Sequence, residues 1–202
     1  MARPVRIFIP NTTYLVQIRA RDERPLFTGE KDRELFLAGL GDAAPAAGVK
    51  VYGYALLDRS ALFFLRTGSL PLSKFVHRTQ AGFINRFRSA FPREEPPRIR
   101  DRHRAILVEE ETHFLPVLRR VHLAPAMGEP WSKRSEGRKL GEISTHRWTS
   151  YSIYIGSREN PPWFDRREGL RYFRKEGGRK EEEQFFRFLV EGLKRDEEDV
   201  LD

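Results

Sequence analysis

The sequence predicts an α+β fold: a ferredoxin-like antiparallel sheet with helices on one face and a C-terminal helical tail. Three observations carry this. The segments run β-α-β-β-α-β before a series of helices. The strand segments are short, rich in Val, Ile, Tyr and Phe, and bounded by turn residues. The two helical segments inside the pattern place apolar residues three and four apart.

TTYLVQIRA (12–20) alternates and is rich in β-branched residues, so it reads as the first strand. KDRELFLAGLGDAA (31–44) reads as a helix with Leu35, Phe36, Leu40 and Ala43 on one side, closed by Pro45 and Gly48. VKVYGYALL (49–57) and SALFFLRT (60–67) read as a hairpin turning at Asp58-Arg59. LSKFVHRTQAGFINRFRSAF (72–91) has an apolar stripe of Leu72, Phe75, Val76, Thr79, Phe83, Phe87 and Ala90. Lys74, His77, Arg78, Asn85 and Arg88 lie opposite that stripe.

Residues 92–103 form a Pro-rich charged loop, 104–110 a strand and 112–124 a helix. Pro116 is tolerated in that helix if it falls in the first turn. A Gly/Lys/Arg-rich loop (128–142) and a short element (146–156) follow. NPPWFDRREGLRYF and KEEEQFFRFLVEGL read as two helices joined by Gly177-Gly178. Residues 1–156 are expected to form the nucleic-acid-binding domain and 157–202 a helical extension. The last helix carries Phe185, Phe186, Phe188, Leu189, Val190 and Leu193. It is expected to pack on the body, with a protein partner as the alternative.

Charge supplies the first functional hint. The 202 residues carry a net charge of +8, with a pI near 10.0. Residues 160–202 hold 10 Lys/Arg against 12 Asp/Glu, so the excess lies in the preceding body. A basic body favours a polyanionic partner, nucleic acid before membrane. The absence of cysteine excludes disulfides and thiolate metal sites. No apolar run reaches the ~18–20 residues of a membrane span, and MARPVRIFIP is too interrupted for a signal peptide. A cytoplasmic, nucleoid-associated protein is expected.

Several blocks, in order, resemble the single-tyrosine HUH transposases of the insertion-sequence-200-like group, in their REP-associated branch. They are VYGYALL, RHRAILVEEETHFLPVLRRVHLAP, HRWTSYSIYIG and the PPWFD…FRFLVEGL tail. The resemblance implies a ferredoxin-like sheet that binds single-stranded DNA hairpins. It also implies cleavage by a tyrosine nucleophile with a divalent metal held by a His-hydrophobe-His pair. A metal activates a weak tyrosine nucleophile by polarising the scissile phosphate. Two histidines two apart on a strand share a face and can ligate one ion.

The chain departs from the family at both motifs. The two histidine positions align with Ser60 and Leu62, and the tyrosine positions with Gln80 and Phe83. The five histidines (77, 103, 113, 122 and 146) include no pair separated by one residue, and no tyrosine occurs from 55 to 150. Ser60, Leu62 and Phe64 are expected to share one strand face, packed on the helix carrying Phe83, so that a metal pocket has become core. His122 with Glu109, Glu110 and Glu111 is the nearest His/carboxylate cluster, and it reads instead as a solvated helix start. His77 and His103, each beside an arginine, read as surface or phosphate-adjacent residues.

What remains is a basic surface. Between 78 and 104 stand eight arginines against three acids. Arg78, Arg86, Arg88, Arg98, Arg100, Arg102 and Arg104 are the candidate nucleic-acid contacts. The last four, at alternate positions, are expected on one side of an extended segment, where guanidiniums track a phosphate backbone. Lys133, Arg134, Arg138 and Lys139 form a second basic loop beside Trp131. Trp148 and Tyr151 are candidates for stacking on bases, weighed against a place in the core.

The reading reached is a transposase-like DNA-binding pseudoenzyme, a domesticated transposase that recognises DNA hairpins or single-stranded DNA, with RNA as an alternative ligand. It needs no cofactor. Two rivals stay open. One is an active hairpin-specific endonuclease with a non-standard nucleophile, which would need Mg²⁺ or Mn²⁺. The other is a protein-interaction subunit of a nucleoprotein complex.

Overall fold

Four strands form one antiparallel sheet in the order β2-β3-β1-β4, the order of a ferredoxin-like sheet. They are β1 (Thr13–Arg19), β2 (Lys50–Leu57), β3 (Ser60–Arg66) and β4 (Arg104–Leu107). The computed structural model describes residues 9–127, 133–173 and 180–194. Residues 1–8, Trp131, the Gly177-Gly178 link and the tail from 195 onward lie outside the described residues.

α1 (Glu30–Ala46) and α2 (Leu72–Ala90) cover one face of the sheet, as the periodicity predicts. Strand alternation aims Val16, Ile18, Ala61 and Phe63 at this face. Phe63 stacks on Phe36 of α1 with ring centroids 5.7 Å apart, and Phe36 meets Phe83 of α2 at 5.2 Å. The two helices cross closely because Gly39 faces α2 backbone: a Cβ there would lie 3.1 Å from the Thr79 carbonyl oxygen. α1 begins at Gly29, where the Asp32 carboxylate accepts from the backbone of Thr28 and Gly29 at 2.7 and 3.2 Å.

The opposite face is covered from α3 (Glu110–Leu123) onward. Phe64 packs edge-to-face on Phe114 of α3 at 4.7 Å. Gly53 of β2 leaves room for Leu118, Val121 and His122. α7 (Glu181–Lys194) closes this layer: Phe185 and Leu189 are fully buried, and Phe185 stacks on Tyr154 at 4.5 Å. The aliphatic stem of Arg119 lies over Gly192, and its guanidinium sits 3.8 Å from the centre of the Phe188 ring.

The outer edge of β2 is also covered. Leu56 N–H donates to the Trp148 carbonyl, Ser150 N–H to Tyr54, and Asp165 N–H to Val51. The edge groups that would otherwise lack partners are thereby bonded.

Four expected boundaries shift. β4 ends at Leu107, three residues early, because Glu109 already serves as the N-cap of α3. α3 therefore starts at Glu110, and Pro116 falls in its second turn. The Thr112 carbonyl loses its helical donor there, and its residue is exposed to solvent. The expected loop at 128–142 contains a helix, α4 (Glu136–Thr145), whose apolar side is Leu140 and Ile143. Gly137 and Gly141, each costing about 1 kcal/mol against Ala in a helix, hide that signal. The helix expected over 160–173 is reduced to α6 (Arg166–Leu170) and a short 3-10 turn. Pro161 instead opens a turn closed by Phe164 N–H, and Asp165 caps α6 by accepting from Glu168 N–H at 3.1 Å. The short element at 146–156 contains α5 (Tyr151–Tyr154).

Candidate nucleic-acid interface

The sheet register gathers several of the candidate arginines. On the face covered by α3, Ala55, Leu62, Gln17 and Arg104 form one cross-strand row. Leu57, Ser60 and Arg19 form the next row toward the sheet end. Beyond β4's start the edge bends at Asp101-Arg102 and rejoins β1, where Ala20 pairs with Ile99. Arg100 N–H donates to the Arg19 carbonyl and Arg21 N–H to the Arg98 carbonyl. Ala20 and Ile99 turn to the core, so alternation sends Arg98 and Arg100 to the side that carries Arg19 and Arg104. All four are exposed.

The expected row of Arg98, Arg100, Arg102 and Arg104 is thus interrupted at the bend, which takes Arg102 out of register. The gain is Arg19, whose Nε donates to the Gln17 side chain at 2.8 Å. Sequence reasoning missed Arg19 and Gln17. Their parity in TYLVQIR, the same as Thr13 and Leu15, is the signal that marks them.

Other candidates are placed differently. Arg78 and Arg88 lie on the exposed side of α2. Arg86 does not: its guanidinium joins Asp42 of α1 and donates to the Gly82 carbonyl at 3.2 Å, tying the helices together. Lys133, Arg134 and Arg138 are exposed, with Arg138 on α4 rather than a loop. Lys139 is buried on the same helix. Trp148 is 8% exposed and flanked by Arg33 and Arg147 at 5.9 and 5.4 Å; Tyr151 is likewise buried. Neither ring offers an open face for a base.

Ser60, Leu62 and Phe64 share a strand face, as expected, but α3 covers that face and α2 the other. Phe83 is fully buried among Phe27, Phe36 and Phe87 on the far side of the sheet. The expectation that these residues pack into one former pocket is corrected: the sheet lies between them. α3, the helix over the Ser60/Leu62 face, carries no tyrosine; on that side Tyr52 packs on Phe64 and Tyr172 on Phe114. Gln80 lines a cleft beside the 95–99 segment instead.

The residues on that face do not fit a divalent cation. Ser60 offers one hydroxyl and Leu62 none, and the cross-strand neighbours are Gln17 and Arg19. Among the described residues no three His, Asp or Glu side chains converge as metal ligands. The exposed charged groups at this end of the sheet are the guanidiniums of Arg19, Arg98, Arg100 and Arg104.

Of the six tyrosines, Tyr52, Tyr54, Tyr151 and Tyr154 are buried, and burial raises each phenol above its ordinary value. Tyr14 and Tyr172 are half-buried. His122 is fully buried, and desolvation lowers its pKa to about 4, so it is neutral at neutral pH. Glu110 is engaged by the Thr13 hydroxyl. His122 and the Glu109–Glu111 run therefore have separate structural tasks.

No protein-family model matches the sequence, and no curated protein does. Among solved structures, the chain is similar to the REP-associated tyrosine transposase bound to a REP hairpin. The TM-score is 0.60 at 10% identity, over 77% of this chain and 86% of that one. A proposed transposase from Deinococcus radiodurans R1 matches more loosely, with a TM-score of 0.43 at 16% identity over 57% of this chain and 93% of that one. On the first likeness, the chain has the fold of a REP-associated tyrosine transposase.

Proposed function

We propose that this chain is a transposase-like DNA-binding protein that recognises hairpins or single strands and does not cleave them. The observation that carries the reading is the convergence of Arg19, Arg98, Arg100 and Arg104 at one end of the sheet. Exposed guanidiniums at strand spacing suit a phosphate backbone. The hairpin-bound transposase of the same fold supports DNA as the polyanion. The replacement of the histidine positions by Ser60 and Leu62, with arginine alongside, supports the loss of metal-assisted chemistry.

The test is anisotropy titration of labelled DNA hairpins across salt concentrations, followed by incubation with Mg²⁺ or Mn²⁺. Affinity that falls steeply with salt is expected, with no cleaved product and no covalent protein–DNA adduct. Specific cleavage or an adduct overturns the inactive reading. Absence of salt-dependent affinity overturns the binding reading and favours a protein-interaction role.

A further inference from the structure

The Pro-rich segment 92–103 carries Arg98 and Arg100, and the fold grips it unevenly. Beyond its prolines the backbone is bonded to the β1 side of the sheet. Arg21 N–H donates to the Arg98 carbonyl at 2.8 Å, and Arg100 N–H to the Arg19 carbonyl at 3.0 Å. Before the prolines, Glu94 N–H closes a turn onto the Phe91 carbonyl at 3.0 Å. Pro96 and Pro97 stand between these points and have no N–H to donate, so there the backbone can be held only through its carbonyls. Pro97 is buried, while Glu95 is exposed. Arg24 reaches that exposed residue: its Nη2 donates to the Glu95 carbonyl at 2.7 Å.

Arg24 is in turn fixed from the β2–β3 turn. The Arg59 guanidinium donates to the Asp22 carbonyl at 2.7 Å and to the Glu23 carbonyl. The Asp58 carbonyl accepts from Leu26 N–H at 2.7 Å and from Phe27 N–H at 3.0 Å. Arg24 N–H donates to the Asp22 carboxylate at 3.2 Å. The backbone is thus held on both sides of residue 24, and only the side chain spans the gap to Glu95.

We infer that Arg24 is a positioning residue for the nucleic-acid interface: it clips the Pro-rich segment to the loop before α1 and so fixes where Arg98 and Arg100 present their guanidiniums. The inference rests on the nucleic-acid reading above and gives Arg24 a role that needs no contact with the ligand. A chain of contacts runs from the Asp58-Arg59 turn through the 22–27 loop to Glu95, three residues before Arg98. A guanidinium is suited to this link, because a bond from a charged donor to a carbonyl is stronger than a neutral one. Without the link, Arg98 and Arg100 would stand in register with a phosphate backbone in only a fraction of molecules. Apparent affinity falls by that fraction.

The test compares wild type with Arg24→Ala on a labelled DNA hairpin. Arg24 is exposed, so the variant should keep its melting temperature. Its affinity should fall about fivefold, as it does when the competent fraction drops to about one fifth. The plot of log affinity against log salt should shift without a change of slope. Amide hydrogen exchange of peptides covering 93–100, measured without DNA, should be faster. In an Arg98→Ala/Arg100→Ala background, Arg24→Ala should cost no further affinity, because the groups it positions are gone.

A slope lower by about 0.7–0.9 makes Arg24 a phosphate contact and overturns the positioning role. An undiminished loss in the Arg98→Ala/Arg100→Ala background overturns it as well. So does unchanged affinity, unchanged exchange over 93–100, or a lowered melting temperature, which makes Arg24 a general stabiliser. In all these cases the DNA-binding reading stands. A wild type with no salt-dependent affinity for the hairpin overturns that reading and this assignment together.

Discussion

Ser150 donates its hydroxyl to Nε2 of His122 at 2.8 Å, while Nδ1 of the same ring donates to the Leu118 carbonyl at 2.8 Å. The carbonyl can only accept, so the proton sits on Nδ1 and Nε2 is the acceptor. Ser150 also accepts from Tyr54 N–H at 3.0 Å. A short polar chain thus joins α3 to the covered edge of β2 through the core. Both residues are fully buried, so this serine and histidine hold the fold rather than meet a substrate.

That burial makes stability depend on pH. His122 titrates near 4 in the folded chain, against its ordinary 6.5. The unfolded chain therefore binds a proton that the folded chain does not between those values. Stability from this group is fully present above about pH 6.5 and is lost as pH falls toward 4, by about 3 kcal/mol in total. Urea titrations from pH 7.5 to 4 should show this loss. His122→Phe should be less stable at pH 7, because Ser150 loses its acceptor, but should show a shallower decline. An identical decline in both proteins would assign it to other groups.

A hydroxyl at Phe83, the position aligned with the family's tyrosine, should not restore chemistry. Phe83→Tyr puts a phenol into a site with no exposure, against Phe27, Phe36 and Phe87. An unpaired buried hydroxyl costs about 1–3 kcal/mol. The variant should melt lower and form no adduct with hairpin DNA. Unchanged stability would mean that the ring edge reaches a partner or solvent.

The core was legible because its period is strong. Phe75, Val76, Thr79, Phe83 and Phe87 fall on one helical stripe, and all are buried. The hairpin turn at Asp58-Arg59 is fixed by flanking alternation, and the register follows from it. The face opposite α1 and α2 was harder, because long-range packing decides it. Nothing local in SALFFLR says that Phe63 and Phe64 meet different helices until the order of the strands is known. The interface was legible as a charge excess but not residue by residue. Arg86 is engaged by Asp42 and Lys139 is buried, while Arg19 joins the surface through a cross-strand register. Composition counts charges; topology decides which ones face the same way.

Salt dependence should separate surface arginines from structural ones. Removing one cation that binds a phosphate lowers the slope of log affinity against log salt by about 0.7–0.9. Arg19→Ala/Arg100→Ala should therefore flatten the slope by roughly 1.4–1.8 with little change in stability. Arg86→Ala should lower the melting temperature, because it breaks the tie between α1 and α2, and leave the slope unchanged. If Arg86→Ala flattens the slope and the double variant does not, the interface lies along α1 and α2 instead.

Trp148 tests whether a buried aromatic next to arginines belongs to the fold or to the ligand. Its ring is flanked by Arg33 and Arg147, and its carbonyl accepts from Leu56 N–H at the sheet edge. Arg33 is itself paired with Asp58 in the hairpin turn, and Arg147 with Glu30 at the start of α1. The ring therefore sits among groups that organise one end of the sheet. Removing it with Trp148→Ala should cost about 3–5 kcal/mol, the range for large aromatic truncations in a core. Trp148→Phe keeps most of the volume, so it should stay folded and bind hairpin DNA within about twofold of wild type. A base stacked on the indole would contribute about 1–3 kcal/mol. A tenfold or greater loss of affinity in Trp148→Phe, with an unchanged melting curve, would place this ring at the interface after all.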